Sequence, residues 1–398
     1  LHGLAQAQPS LPLEAALQRL PQTNRLLKAG ELHRQYLASL QRTAGELPFF
    51  RANAELGQTN SRNFDSRLSV AQGFLPFGFV KGQRALLQSQ FISFDNELQL
   101  RQLELRLLIR QVFLGYEYEA KRQLHFLQLD TLYQRLIILA EQRLKAGETN
   151  RLELAGFQQQ RQLLQQAIAG SKINQQQWQV QLKLLLQTDT SFVPTGAWQT
   201  NSMAPPMVDT ALLAQHPAVK WREAMLASAS AETALENARR QPAFEIGYNN
   251  QSLVGFQTDR GGNDKWYNAG NRFSTGQVGV NFPLIGKATK ARVAAAKEKE
   301  KQMAYEVSAE KQQVSAAWRG KLEQTMLQRQ QLKRYEEELL PGSNAIIETA
   351  RQQLLRGELN YVTWLLIAEP AFQTRLAYID EQLNYQLLLA QTLYYSEQ

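Results

Sequence analysis

Cysteine is absent from the 398 residues. That excludes disulfides, thiolate metal sites, cysteine nucleophiles and a lipid-bearing N-terminal cysteine. Histidine is scarce: His2, His33, His125 and His216 are scattered without ligand spacing, and the five methionines form no cluster. No catalytic constellation, metal site or cofactor cradle is read from the chain, and Gly261-Gly262 lacks the context of a phosphate loop. Uncharged apolar runs of about 18 residues are missing too, so no transmembrane helix is encoded. Proline is missing from Lys81 to Gln187, which leaves a very long stretch free to be helical. The net charge of +8 comes from basic residues spread among Glu and Gln rather than gathered in a block. A nucleic-acid partner is therefore not expected.

What is present is a programme run twice. Residues 1–12 read as a signal-peptide remnant and tail, because Leu4-Ala5-Gln6-Ala7-Gln8 has the small-x-small pattern of a cleavage site after Ala7. A chain that starts at Leu1 also fits a module fused behind an inner-membrane transporter. Repeat 1, residues 13–188, reads as helix, β-hairpin at about 48–76, a long helix from about Gln83, a turn at Gly147, and a returning helix. Pro21 interrupts the first helix, and Pro76, Gly78 and Gly82 close the hairpin. The seam of the long helix is read through Leu87, Phe91, Phe94, Leu98, Leu105, Leu108, Val112 and Tyr116. Residues 189–207 read as a linker or small irregular layer. Repeat 2, residues 208–398, has a helix to about Arg240, a hairpin at about 242–283 with a polar loop at about 257–272, and a helix from about Lys287 to Arg356. A turn at Gly357 and a last helix follow. Pro48 and Pro242 lie 194 positions apart, Gly147 and Gly357 210 apart, which points to an internal two-fold repeat.

The hairpins alternate with period two. Phe50, Leu68, Val70, Phe244, Ile246, Tyr248, Val278, Val280 and Phe282 fall on the apolar side, opposite residues such as Arg51, Arg67, Glu245 and Gln277. Strands of about 9–10 residues with one apolar and one polar face suit a transmembrane barrel, with the apolar set toward lipid. Phe49, Phe74, Phe77, Phe79 and Phe273 add aromatics for the interfacial girdles. Two half-buried hairpins on a soluble core alternate in the same way. Helices too long for a compact core favour the barrel. Four strands cannot close one, so several chains must share it as a homo-oligomer, with the long helices packed into a tube around the same axis.

At this point the residues resemble a known family. F-P-L-I-G-K-A-T-K-A-R-V-A-A-A (Phe282 to Ala296), its weaker counterpart Phe74 to Gln90, and the paired turns A-G-E-T-N-R-L-E-L and R-G-E-L-N-Y-V-T-W are similar to those of the TolC-type outer-membrane efflux proteins. The general look is nearest the heavy-metal (CusC/CzcC-like) and multidrug branches. The resemblance implies an α+β membrane protein: a homotrimer with a twelve-stranded barrel in the outer membrane, four strands per chain, continued by a periplasmic α-helical barrel. It implies a passive exit duct for heavy-metal ions or drugs. A periplasmic adaptor links that duct to an inner-membrane efflux transporter, and outer-membrane lipid surrounds it. It places adaptor contact at the two turns, here Ala146, Gly147, Glu148 and Asn150 with Arg356, Gly357, Glu358 and Asn360. It also places a narrowing six positions after each turn glycine, at Glu153 in one copy and Thr363, beside Trp364, in the other. The reading set against it is a secreted pore-forming or coiled-coil structural protein.

Overall fold

The computed structural model describes residues 8–58, 62–198, 210–258, 261–283 and 286–396. The cleavage-site pattern, the middle of the first hairpin turn, Pro205-Pro206 and Leu284-Ile285 lie outside the described residues. The chain forms two compact units. One comprises residues 1–31, 98–217 and 311–398; the other comprises 32–97 and 218–310. Each unit draws on both halves of the sequence, so the compact units cut across the repeats.

In chain order the elements are β1 (Ser10–Pro12), α1 (Leu13–Thr23), α2 (Arg25–Leu40), β2 (Arg51–Gly57), β3 (Asp65–Phe74), α3 (Phe77–Lys145) and α4 (Arg151–Leu186). Then come β4 (Val193–Thr195), α5 (Thr210–Leu213), α6 (Pro217–Ala238), β5 (Ala243–Ser252), β6 (Gly255–Thr258), β7 (Asp264–Tyr267) and β8 (Arg272–Asn281). The chain ends with α7 (Lys287–Arg334), a π turn (Tyr335–Leu339), α8 (Leu340–Leu355) and α9 (Tyr361–Tyr394). Helix α3 has 69 residues, roughly 100 Å at 1.5 Å per residue. The 48, 5 and 16 residues of α7, the π turn and α8 match that count.

The first unit holds two main cores. Leu17, Leu20, Leu27, Leu98, Ile109 and Phe113 gather with Leu182 and Leu186 in one. Leu136, Ala140, Phe157, Leu354, Trp364 and Phe372 gather in the other. Leu108, assigned above to the α3 seam, is exposed, while Ile109 and Phe113 are buried. A straight helix turns once per 3.6 residues, so an apolar stripe drifts off a strict heptad step. The break after α1 also differs from expectation. Pro21 stays inside α1, and the chain turns at Asn24, whose Oδ1 accepts from the N–H of Leu26 and Leu27 (3.0 and 3.2 Å). That is an N-cap starting α2. The 189–207 stretch contributes β4, which pairs in parallel with β1.

Three further boundaries depart from the sequence reading. Helix α3 begins at Phe77, with Gly78 and Gly82 inside it. At Gly82 an added Cβ would lie 3.2 Å from the Leu235 backbone, so the glycine permits close approach rather than ending a strand. The helix expected to run from Lys287 to Arg356 contains the π turn just before Pro341. Proline has no N–H for the carbonyl four residues back and clashes with it, and a widened turn accommodates that. The expected helix from residue 208 is two helices, α5 and α6, separated by Ala214, Gln215 and His216.

His216 is 2% exposed, its ring 5.1 Å from that of Tyr394 and 5.6 Å from that of Tyr395. Burial pushes its pKa from 6.5 down to about 4, and a hydrogen bond with the Tyr394 backbone opposes this. The unfolded chain therefore takes up a proton between pH 6.5 and 4 that the folded chain refuses. The stabilisation is complete above pH 6.5 and falls away toward pH 4, by up to about 3 kcal/mol. Thermal melting in detergent should show this decline in the wild-type protein and a flatter profile in His216→Phe. Parallel profiles would mean that His216 is not the titrating group.

Candidate functional site

In the second unit four strands form one antiparallel sheet in the order β2-β3-β5-β8. Its register sorts every side chain. Directly opposed residues of an antiparallel pair share a face. Val70 opposes Tyr248, Phe74 opposes Phe244, and Ile246 and Phe244 oppose Val278 and Val280. Leu68 lies on this face as well, opposing Ala54 and Asn250. Phe50 and Phe282 flank β2 and β8 and continue the alternation. The nine apolar candidates thus form one patch. The side chains are uncovered in this chain: Phe244 is 51% exposed, Ile246 58% and Val278 77%. Hairpins packed on a soluble core would bury that face, so that alternative is set aside.

The opposite face carries Arg51, Asn53, Glu55, Arg67, Ser69, Glu245, Asn249, Gln251 and Gln277. Its groups are tied across strands. Arg51 pairs with Glu245, Arg67 Nη1 with Glu55 (3.2 Å), and Arg67 Nε donates to Gln251 Oε1 (2.9 Å). Phe273, grouped above with the girdle aromatics, lies on this polar face opposite Gln251. Phe77 and Phe79 lie in α3. The loop expected at 257–272 holds a second, two-stranded ribbon, β6–β7.

In the first unit the two glycine turns match bond for bond. Gly147 and Gly357 have φ of 72° and 75°, the left-handed region that favours glycine. The Glu148 N–H donates to the Arg143 carbonyl (2.9 Å) and the Gly147 N–H to that of Leu144 (3.2 Å). The Glu358 and Gly357 N–H groups do the same with Gln353 and Leu354 (2.9 and 3.1 Å). This is the Schellman closure of a helix. Asn150 and Asn360 then cap the next helix, each Oδ1 accepting from an N–H three residues on, Glu153 (3.0 Å) and Thr363 (2.9 Å). All eight turn residues named above, from Ala146 to Asn360, are exposed. Arg143, which the sequence reading missed, joins the turns: its guanidinium donates to the Leu354 and Leu355 carbonyls at the end of α8 (3.0 and 3.2 Å). Charge at a helix C-terminus strengthens such bonds.

The narrowing candidates separate. Glu153 and Thr363 are half-buried, and Glu153 accepts from the Thr149 hydroxyl. Trp364 is 1% exposed, its ring packed on Tyr133 (5.9 Å), Phe157 (6.0 Å) and Phe372 (6.2 Å). It belongs to the interhelical core, where burial leaves its ring no open surface to narrow a channel. Gly156 sits beneath Tyr361, where a Cβ would meet the ring.

No family model matches the chain, and no curated protein sequence matches it. Solved structures do. CusC, a transmembrane channel, superposes with a TM-score of 0.79 at 15% identity, covering 99% of this chain and 95% of its own. A membrane protein from Pseudomonas aeruginosa gives 0.76 at 17%, covering 97% and 93%. The Campylobacter jejuni CmeC outer membrane channel gives 0.75 at 12%, covering 96% and 85%. The chain has the fold of the TolC-type outer-membrane efflux proteins. Identities this low carry the fold alone, and the residues must carry the rest.

Within the efflux-protein fold, the matched turns differ in one respect. Four residues before the second turn glycine stands Gln353 in place of Arg143, so this position supplies a guanidinium at the first turn alone. Gly147→Ala and Gly357→Ala should each cost about 1 kcal/mol through the left-handed backbone. Arg143→Ala should cost about 1 kcal/mol, whereas Gln353→Ala should be near neutral. Melting followed by circular dichroism in detergent checks this. Equal midpoints for Arg143→Ala and the wild type would remove the tie between the turns.

Proposed function

We propose that the chain is one subunit of an outer-membrane efflux duct. Three copies close a twelve-stranded barrel, and their long helices continue the conduit into the periplasm. The observation that carries this reading is the open sheet: an exposed apolar face, a polar face held together by ion pairs, and β2 and β8 outermost. Joining β2 of one copy to β8 of the next satisfies both edges, leaving the apolar face for lipid and the polar face for a water-filled bore. Its fold neighbours, among them outer membrane channels, support the same role.

The exposed turns at Gly147 and Gly357 are the surfaces for a periplasmic adaptor, which couples the duct to an inner-membrane transporter. Their matched backbone offers that adaptor two similar footholds per subunit. Glu153 and Thr363 are the groups placed to narrow the bore. The cargo is a heavy-metal ion or a drug that passes without chemical change.

The purified protein should run as a detergent-dependent trimer and give single-channel conductance in planar bilayers. A soluble monomer without detergent would overturn the reading. Val280→Arg should impair insertion by about 2–4 kcal/mol, the cost of a cation on a lipid face. Gln277→Arg on the opposite face should insert normally. Equal insertion of the two variants would mean that the assignment of faces is wrong.

A further inference from the structure

The ribbon β6–β7 prolongs the β5–β8 hairpin beyond the sheet, at the end remote from the helices that precede β5 and follow β8. It repeats the sheet's two-sidedness. Tyr267 and Lys265 lie on one side, with the Tyr267 ring 5.5 Å from Phe273 on the polar face. On the other side Phe256 opposes Trp266, edge to face at 5.1 Å, and the two rings are 69% and 51% exposed. That side continues the apolar face.

Between the apolar patch and this aromatic pair lies a polar band on the same face. Arg272 Nη1 donates to Ser66 Oγ (2.6 Å) and Nη2 to the Asn250 carbonyl (2.8 Å). Asn250 Nδ2 donates to Ser274 Oγ (3.1 Å). Such a band marks where hydrocarbon ends. Phe256 stands six residues beyond Asn250, up to ~20 Å along an extended chain. The pair therefore lies beyond the polar band, on its headgroup side. Another copy of the chain is not the cover, because copies join where backbone groups are unpaired, at the sheet edges rather than on its faces.

Resting on the duct reading, we infer that the Phe256–Trp266 pair is a docking platform for the sugar headgroups of a glycolipid leaflet. Carbohydrate rings present apolar C–H faces to aromatic rings, and their hydroxyls suit the Trp266 indole N–H. The platform lies outside the bore and touches no cargo. It anchors the outer end of the duct in the sugar layer.

The test places the full-length protein in nanodiscs of phospholipid alone and of phospholipid with lipopolysaccharide. Subtracting the Trp266→Phe spectrum from the wild-type spectrum isolates the Trp266 emission. With lipopolysaccharide, that emission should move to the blue and its quenching by iodide should fall several-fold. In phospholipid alone it should stay open to iodide. Equal exposure in both discs overturns the platform, and equal shielding in both shows that acyl chains or another copy cover it. Val278→Trp with brominated acyl chains separates the two levels of the argument. Quenching there with no lipopolysaccharide effect at Trp266 removes only the platform. No quenching there removes the membrane reading and the platform together. Phe256→Ala/Trp266→Ala should keep trimer assembly and conductance unchanged.

Discussion

A sheet whose outermost backbone groups have no partner, and one of whose faces is apolar, is incomplete in water. Each unpaired N–H or C=O withdrawn from solvent without a partner costs on the order of kilocalories. The exposed patch of Phe244, Ile246, Val278 and Val280 adds apolar area that none of the described residues covers. In the proposed duct, edge-to-edge closure in lipid answers both demands at once. The remaining architecture is consistent with that constraint. The polar face is knitted by Arg51–Glu245 and Arg67–Glu55. The strands run directly into helices, and those helices find their apolar partners in cores of their own.

The helical end is governed by different physics. Termini of long helices leave carbonyls and N–H groups unbonded, and here both turns resolve this with the same six-residue grammar. Glycine closes one helix and asparagine opens the next. Turns built this way are stiff without burying side chains, so their outer surface stays available. Behind them Phe157, Tyr361 and Trp364 lock the hairpins together through aromatic contacts. The cross-tie from Arg143 to the Leu354 and Leu355 carbonyls makes the two turns unequal partners.

Much of this was legible in the residues. The alternation through Val278, Val280 and Phe282 located a strand face, and the proline-free stretch from Lys81 located a long helix. Repeat spacing located the turns. Other features were hidden for definable reasons. Strands β1 and β4 are three residues each and pair across about 180 positions, too short for any periodicity. The β6–β7 ribbon surrounds Gly261-Gly262-Asn263, which reads as loop. Helix α9 opens with Tyr361-Val362-Thr363-Trp364-Leu365-Leu366-Ile367, apolar nearly all round, so the buried side could not be told from the free side. Burial of Trp364 is a tertiary outcome.

The π turn at Tyr335–Leu339 carries a consequence for the symmetry of the repeats. Two helical spans of 69 residues would present equivalent positions in equivalent directions if both were regular. A widened turn absorbs one residue without the usual rotation, on the order of 100° at 3.6 residues per turn. Beyond Pro341 the second repeat is therefore out of phase with the first, although the count is unchanged. Residues that align by number no longer align by azimuth. Two helical spans of equal length thus present dissimilar faces.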